Sequence, residues 1–278
     1  MAEIHPTAVV DRRAELAEDV EIGAYSIIKA GVTIGAGTII QEHCHVHGIT
    51  DIGRRCKIGP NSYVGLPPQH LKYDGQETRA IIGDDVVIRE GASVHRALKA
   101  DDGHATRVGD RCYLMGGSHV AHDCVLEEDV IIAQGAMLGG HCLVGNRTFI
   151  GGGAAIHQFV RIGRLVIIKG NEGITSDVPP FAAVRYDGLK GYNAIGCKRS
   201  GMTPKALHAV RAAYHCVHTH RTLPGAIAAI KATVPILPEI EEMLEFFRTT
   251  KRGVLGSVRG AAVARFGLRK AIVCEGDD

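Results

Sequence analysis

From Val108 to Ile174 every sixth residue is branched and aliphatic, through Leu114, Val120, Leu126, Ile132, Leu138, Val144, Ile150, Ile156, Ile162 and Ile168. Four places after these sits a residue that is usually small, as at Cys112, Ser118, Cys124, Ala136, Cys142, Thr148 and Ala154. A period of six matches neither the 3.6-residue helix nor the two-residue alternation of a simple strand. It predicts a hexapeptide β-helix, with short strands wound round a prism and each coil of about 18 residues stacked on the last. The same register runs from Ile4 to Val64, breaks over 66–80, resumes at Ile82, Ile88 and Val94, and breaks again over 98–106. Insertions at prism corners leave the stacked strands untouched, which makes them natural carriers of function.

The regular coil ends at Asp177-Val178-Pro179-Pro180, where proline removes ladder donors, and the β-helix domain is drawn over residues 1–185. Thr203-Pro204 then reads as an N-cap with proline in the first helical turn. Leu207, Val210, Tyr214 and Val217 follow at helical spacing. Ile227 and Ile230 mark a second helix, and Ile240, Leu244 and Phe247 a third after Pro238. A helical domain is therefore expected over 186–255 and a basic tail over 256–278. Arg248 to Lys270 holds seven basic residues and no acids, a composition that suits loose order.

Composition narrows the function classes. Thirty-five glycines and 5% aromatics suit a coil with many tight corners. A formal charge of +2 gives no argument for nucleic acid. Neither a basic-then-apolar leader nor an apolar run of spanning length occurs, so a cytoplasmic protein without stable membrane insertion is expected. Five of the eight cysteines (Cys44, Cys56, Cys112, Cys124, Cys142) fall on the small inward position, where they read as free, compact core thiols.

Histidine carries the chemistry: there are fifteen. His119-Val120-Ala121-His122-Asp123-Cys124 is the densest polar cluster in the regular coil, and His122 falls at or near a corner. One coil on stand Gly140 and His141, and one further His157 and Gln158. Stacking at about 4.8 Å gathers these groups along one edge. His122 with Asp123 could act as a general base. The histidines could instead hold zinc, or satisfy one another at a subunit contact, and the residues themselves do not rank these options.

His119-x-x-His122-Asp123-Cys124, Gly139-Gly140-His141, His157-Gln158-Phe159 and Asp177-Val178-Pro179-Pro180 resemble the acyl-ACP–UDP-N-acetylglucosamine O-acyltransferases, which begin lipid A synthesis. Gln69-x-Leu71-Lys72-Tyr73, His95-Arg96, Asn193-x-x-Gly196-x-Lys198-Arg199, Phe246-Phe247 and Arg252-Gly253 extend the likeness over residues 4 to 255. The resemblance implies left-handed winding, a homotrimer with active sites between subunits, acyl carrier protein and UDP-N-acetylglucosamine as partners, and no metal or cofactor. It implies His122 as the base for the sugar 3-hydroxyl, Asp123 as its orienting partner, and the Gly140 N–H as oxyanion donor. Gln69, His70, Lys72, His119, His141, His157 and Gln158 match substrate-contacting positions. Asn193 and Arg199 match contacts to the nucleotide or the carrier arm, and Gly170 matches the position limiting acyl length, with room for a longer 3-hydroxyacyl chain. Lys198, Arg199, Lys205 and Arg211 are expected to suit an acidic carrier protein.

Where the family usually has Asp between Gln69 and Leu71 this chain has His70, which opens transfer to the 3-amino analogue of the sugar as an alternative. A zinc hydratase of the γ-carbonic anhydrase type and a non-catalytic trimeric scaffold on the same fold stay open beside it. The resemblance places no counterpart for the tail beyond Leu255.

Overall fold

The computed structural model describes residues 2–100, 104–186 and 188–256. Short strands build three parallel sheets of 11, 9 and 8 strands, the faces of a prism. Stacked partners are one coil of 18 residues apart, as in Val120↔Leu138, Leu126↔Val144 and Ile132↔Ile150. The step widens to Ile52↔Ile82 across the first insertion and Ile82↔Val108 across the second, yet the ladder continues unbroken on both sides.

Every sixth aliphatic points inward: Leu114, Val120, Ile132, Leu138 and Ile150 are fully buried. Truncating any of the leucines or isoleucines among them to Ala would cost about 2–5 kcal/mol. The small inward position has a second job that size alone does not reveal. Cys44, Cys112, Cys124 and Cys142 each donate their S–H to the carbonyl 15 residues ahead, at 3.0–3.3 Å. Ser26, Thr38 and Thr148 do the same with a hydroxyl, at 2.6–2.9 Å. The strand ladder is interrupted at each corner, and a Ser, Thr or Cys there supplies a donor that an alanine lacks. These thiols are free, as expected, and they are also corner donors.

Beyond the first coil, most corners turn through one residue in the left-handed region. On one edge these are Arg55, Asp85, Arg111, Asp129, Arg147, Leu165 and Phe181, and on another Asp123, His141 and Phe159. Both insertions spring from this second edge: the strands Tyr63–Leu66 and Ser93–His95 precede them, and Arg79–Ile82 and Ala105–Val108 follow. The two loops therefore lie directly before the His122 corner in the stack.

After the Pro179-Pro180 break the first sheet gains two more strands. Ala182–Arg185 pairs parallel with Ile167–Ile168, and Gly188–Tyr192 folds back antiparallel, in a stretch whose residue pattern predicts only a connector. Four helices follow: α1 (Ala194–Arg199), α2 (Pro204–Thr219), α3 (Leu223–Thr233) and α4 (Pro238–Thr249). The last three match the predicted apolar stripes; α1 is too short to carry one. Beyond α4 the chain returns to the prism, where the Asp177 N–H donates to Gly253 O and the Leu255 N–H to Asp177 O. The buried Asp177 carboxylate accepts from the Arg161 N–H at 2.9 Å and from Thr250 Oγ1 at 2.8 Å, locking this return in place. Residues 257–278, most of the expected basic tail, lie outside the described residues.

Candidate active site

His122 and Asp123 form the turn between the strands His119–Val120 and Val125–Leu126. Asp123 adopts φ +62°, a conformation that aspartate tolerates better than most residues. Its N–H donates to Thr106 Oγ1 at 2.8 Å, so the strand that closes the second insertion fixes the turn. With the backbone curled this way, the carboxylate reaches the ring of its own predecessor: Asp123 Oδ2 lies 2.5 Å from His122 Nδ1. The Leu98 N–H donates to both carboxylate oxygens, at 3.1 and 3.2 Å. His104 Nε2 stands 2.7 Å from Oδ1, and His141 Nε2 3.5 Å from Oδ2. Three imidazoles from three segments thus surround one carboxylate that is 0% exposed.

Burial by itself would raise the Asp123 pKa. The hydrogen bonds from His122 and Leu98 and the charges of His141 and His122 outweigh it, and the net shift is downward. Asp123 is therefore an anion at neutral pH and can only accept. Nδ1 of His122 must then carry the proton, which leaves the Nε2 lone pair free to take another. Burial lowers His141 against the opposing pull of Asp123, and burial together with the His122 charge lowers His119.

Gly140 explains itself sterically. A Cβ there would come within 2.6 Å of His122 Cε1 and 2.7 Å of Nε2, so only glycine lets the ring lie across the next coil. The Gly140 N–H donates to no acceptor among the described residues. His141 stacks on Phe159 with centroids 4.4 Å apart and meets the His122 ring edge-on at 5.2 Å.

The first insertion covers the same corner, and its His70 ring meets that of His122 edge-on at 5.4 Å. Arg96 staples this loop, donating to Gly65 O at 3.0 Å and to the Tyr73 hydroxyl at 2.5 Å. Gln69 and Lys72 are exposed on it, and the Lys72 N–H donates to His70 Nδ1. His119 bonds Ser93 Oγ at 2.8 Å and meets the buried His95 edge-on at 4.8 Å. His157 and Gln158 occupy the corner two coils beyond His122, and Arg252 Nη2 lies 3.2 Å from His157 Nδ1.

Other expected residues lie apart. Gly170 follows the stack of Gly116, Gln134 and Gly152 on the third edge, so this chain does not bring it to the His122 corner. A Cβ there would meet Gly152 O at 2.9 Å. Asn193 caps α1 through Oδ1 and donates Nδ2 to Leu165 O, so its amide already serves the fold. Arg199 is exposed in the last turn of α1. The residue pattern does not point to His104, inside an insertion where no period guides the eye, or to the Arg252–His157 contact, 95 residues apart.

A family profile described as UDP N-acetylglucosamine O-acyltransferase, domain 2, matches residues 177–255, and one for bacterial transferase hexapeptide repeats matches 105–140. The acyl-[acyl-carrier-protein]–UDP-N-acetylglucosamine O-acyltransferase of Syntrophobacter fumaroxidans is 43% identical, over 91% of this chain and 99% of its own. The chain belongs to this family. The same-named protein of Thermodesulfovibrio yellowstonii is 42% identical with the same coverage. The crystal structure of the UDP-N-acetylglucosamine O-acyltransferase of Moraxella catarrhalis superposes with a TM-score of 0.84 at 33% identity, covering 91% of this chain and 99% of its own. The family's fold is the left-handed parallel β-helix with a small C-terminal helical region. Neither the hydratase nor the scaffold finds support among these relatives.

Proposed function

We propose that this chain transfers a 3-hydroxyacyl group from acyl carrier protein to the 3-hydroxyl of UDP-N-acetylglucosamine, opening lipid A biosynthesis, and that His122 is its general base. The observation that carries the base assignment is the buried, anionic Asp123 on His122 Nδ1, which leaves Nε2 as the acceptor. The sugar oxygen forms a bond to the thioester carbonyl carbon as His122 Nε2 takes its proton. The tetrahedral oxyanion accepts from the Gly140 N–H, a kind of contact worth about 10²–10³ in rate. Collapse breaks the C–S bond, and the carrier thiolate recovers the proton from His122. These groups balance the reaction without a metal or cofactor.

His70, Gln69 and Lys72 on the covering loop, with His119, His141, His157 and Gln158, would line the acceptor and donor. Asn193 and Arg199 would meet the nucleotide or carrier arm from a neighbouring subunit of a cytoplasmic homotrimer, and Gly170, on another edge, would reach the acyl chain in the same way. No helix among the described residues is long and apolar enough to cross a membrane.

Mass spectrometry of products from a panel of acyl-carrier donors tests the proposal. UDP-N-acetylglucosamine is expected to gain one 3-hydroxyacyl mass and release one carrier thiol. Acylation of the 3-amino analogue alone would shift the acceptor, and no acylation with any donor would overturn the reading.

A further inference from the structure

Asp123 has a neighbour that the proposed reaction does not use. His104 belongs to the second insertion, and its Nε2 lies 2.7 Å from Oδ1. His141 approaches the same carboxylate from the next coil at 3.5 Å. The ligand-capable atoms of His104, Asp123 and His141 all lie within 4.8 Å of one another. We propose that these three residues form a binding site for a divalent transition ion of the zinc class, and that the ion inhibits the enzyme by occupying the carboxylate that supports His122.

Two imidazoles and one carboxylate are a ligand set suited to zinc, cobalt, nickel or ferrous ions, and a poor one for magnesium or calcium. Tetrahedral zinc with bonds of about 2.0–2.1 Å holds its ligand atoms roughly 3.3 Å apart. To admit the ion His104 would move outward from Oδ1 by roughly 0.6 Å. His104 and His141, which stand on opposite carboxylate oxygens with ligand atoms within 4.8 Å of one another, would close on the ion by side-chain rotation. Asp123 is pre-set by the Leu98 and Thr106 hydrogen bonds, the kind of outer support that raises metal affinity. Each carboxylate oxygen has two lone pairs, so a bound ion need not displace the Leu98 N–H. Access is open from the His104 side, whose side chain is 42% exposed against 0% for Asp123. A water or substrate oxygen would complete the coordination.

Inhibition follows from charge. An anionic Asp123 stabilises the imidazolium that His122 becomes; a cation on the same carboxylate cancels that support and weakens the base. His141, beside the proposed substrate cleft, would be drawn to the ion as well. The inhibitory half of this inference rests on the base assignment given under the proposed function, whereas the binding half does not.

Titration of the full-length, metal-free protein with Co²⁺ separates the two. One Co²⁺ per chain is expected, with the intense visible bands of four- or five-coordination, displaced by Zn²⁺. His104→Gln, which keeps a hydrogen-bond donor for Asp123, and His104→Leu, which does not, are each expected to weaken binding about 100-fold or more. Zn²⁺ is expected to suppress acyl transfer by the wild type, with recovery on adding a chelator. Each variant should retain a much larger fraction of its own zinc-free rate. Equal Co²⁺ affinity in wild type and a folded variant, or six-coordinate spectra alone, would assign the binding to scattered surface histidines and overturn the site. His104-dependent Co²⁺ binding by a protein that acylates no acceptor would keep the site and sink the transferase reading instead.

Discussion

Asp123 and Asp129 take the same place in successive corners of one coil, with φ of +62° and +58°. Asp129 faces solvent, 32% exposed, in an ion-pair ladder with Arg111 at 2.8 Å and Arg147 at 3.8 Å. Arg111 also bonds Glu128, and the ladder continues in the Arg55–Asp85 pair. Asp123 is 0% exposed and holds imidazoles where Asp129 holds guanidiniums. The backbone is common to both, so the difference comes from what covers them. Two insertions rise from the Asp123 edge. The second, with the strand that closes it, supplies Leu98, His104 and Thr106 as partners of Asp123, and the first lays His70 against His122, while among the described residues no insertion covers the Asp129 edge. Solvent-screened pairs contribute little to stability. The same carboxylate, once covered, fixes a tautomer.

Paired substitutions at these two sites give the widest separation. Asp123→Asn keeps a residue that tolerates the left-handed turn but removes the charge on Nδ1; acyl transfer is expected to fall by about 10²–10⁴-fold. Asp129→Asn should leave the rate unchanged and shift stability by roughly 0.5 kcal/mol or less. Steady-state kinetics and thermal unfolding on the pair check both, and equal losses at the two corners would erase the contrast.

Gly140→Ala sharpens it further. The residues one coil-third before and after Gly140 at the turn, Gln134 and Asn146, carry side chains freely, whereas a Cβ at 140 would strike the His122 ring at 2.6 Å. The rate should drop at least about 10²-fold, the scale of a general base pushed off its proton, with the fold retained. Wild-type kinetics from this variant would show that the ring position does not matter.

A smaller effect separates buried histidine from exposed charge. Burial first, then the charges of His119, His122 and Arg96, lower His95 from 6.5 to about 4. The unfolded chain therefore binds a proton that the folded chain refuses between these values. Stability from this residue is complete above pH 6.5 and is lost as pH falls towards about 4, on the order of 3 kcal/mol at the limit. Denaturant titrations of wild type and His95→Gln should converge or cross as the pH drops through that window. Parallel pH dependence in the two proteins would remove His95 as the cause.

The six-residue rhythm makes the interior legible because each coil repeats one environment, and counting in eighteens from His122 reaches Gly140 and Gln158 without any coordinates. The same count places Gly170 on another edge of this chain's prism. The rhythm says nothing of side chains that leave it: His104 sits in an aperiodic insertion, and Asp177 finds Thr250 across 73 residues. Gly188–Tyr192, with two glycines in five residues, carries no strand pattern, yet it pairs because Ala182–Arg185 offers an open edge.

The most direct test of the account is the single-turnover rate of acyl transfer by His122→Ala, read beside its circular dichroism spectrum. The account predicts a loss of about 10²–10⁴-fold or more with a native spectrum. Transfer at near wild-type rate by a natively folded His122→Ala protein would contradict it.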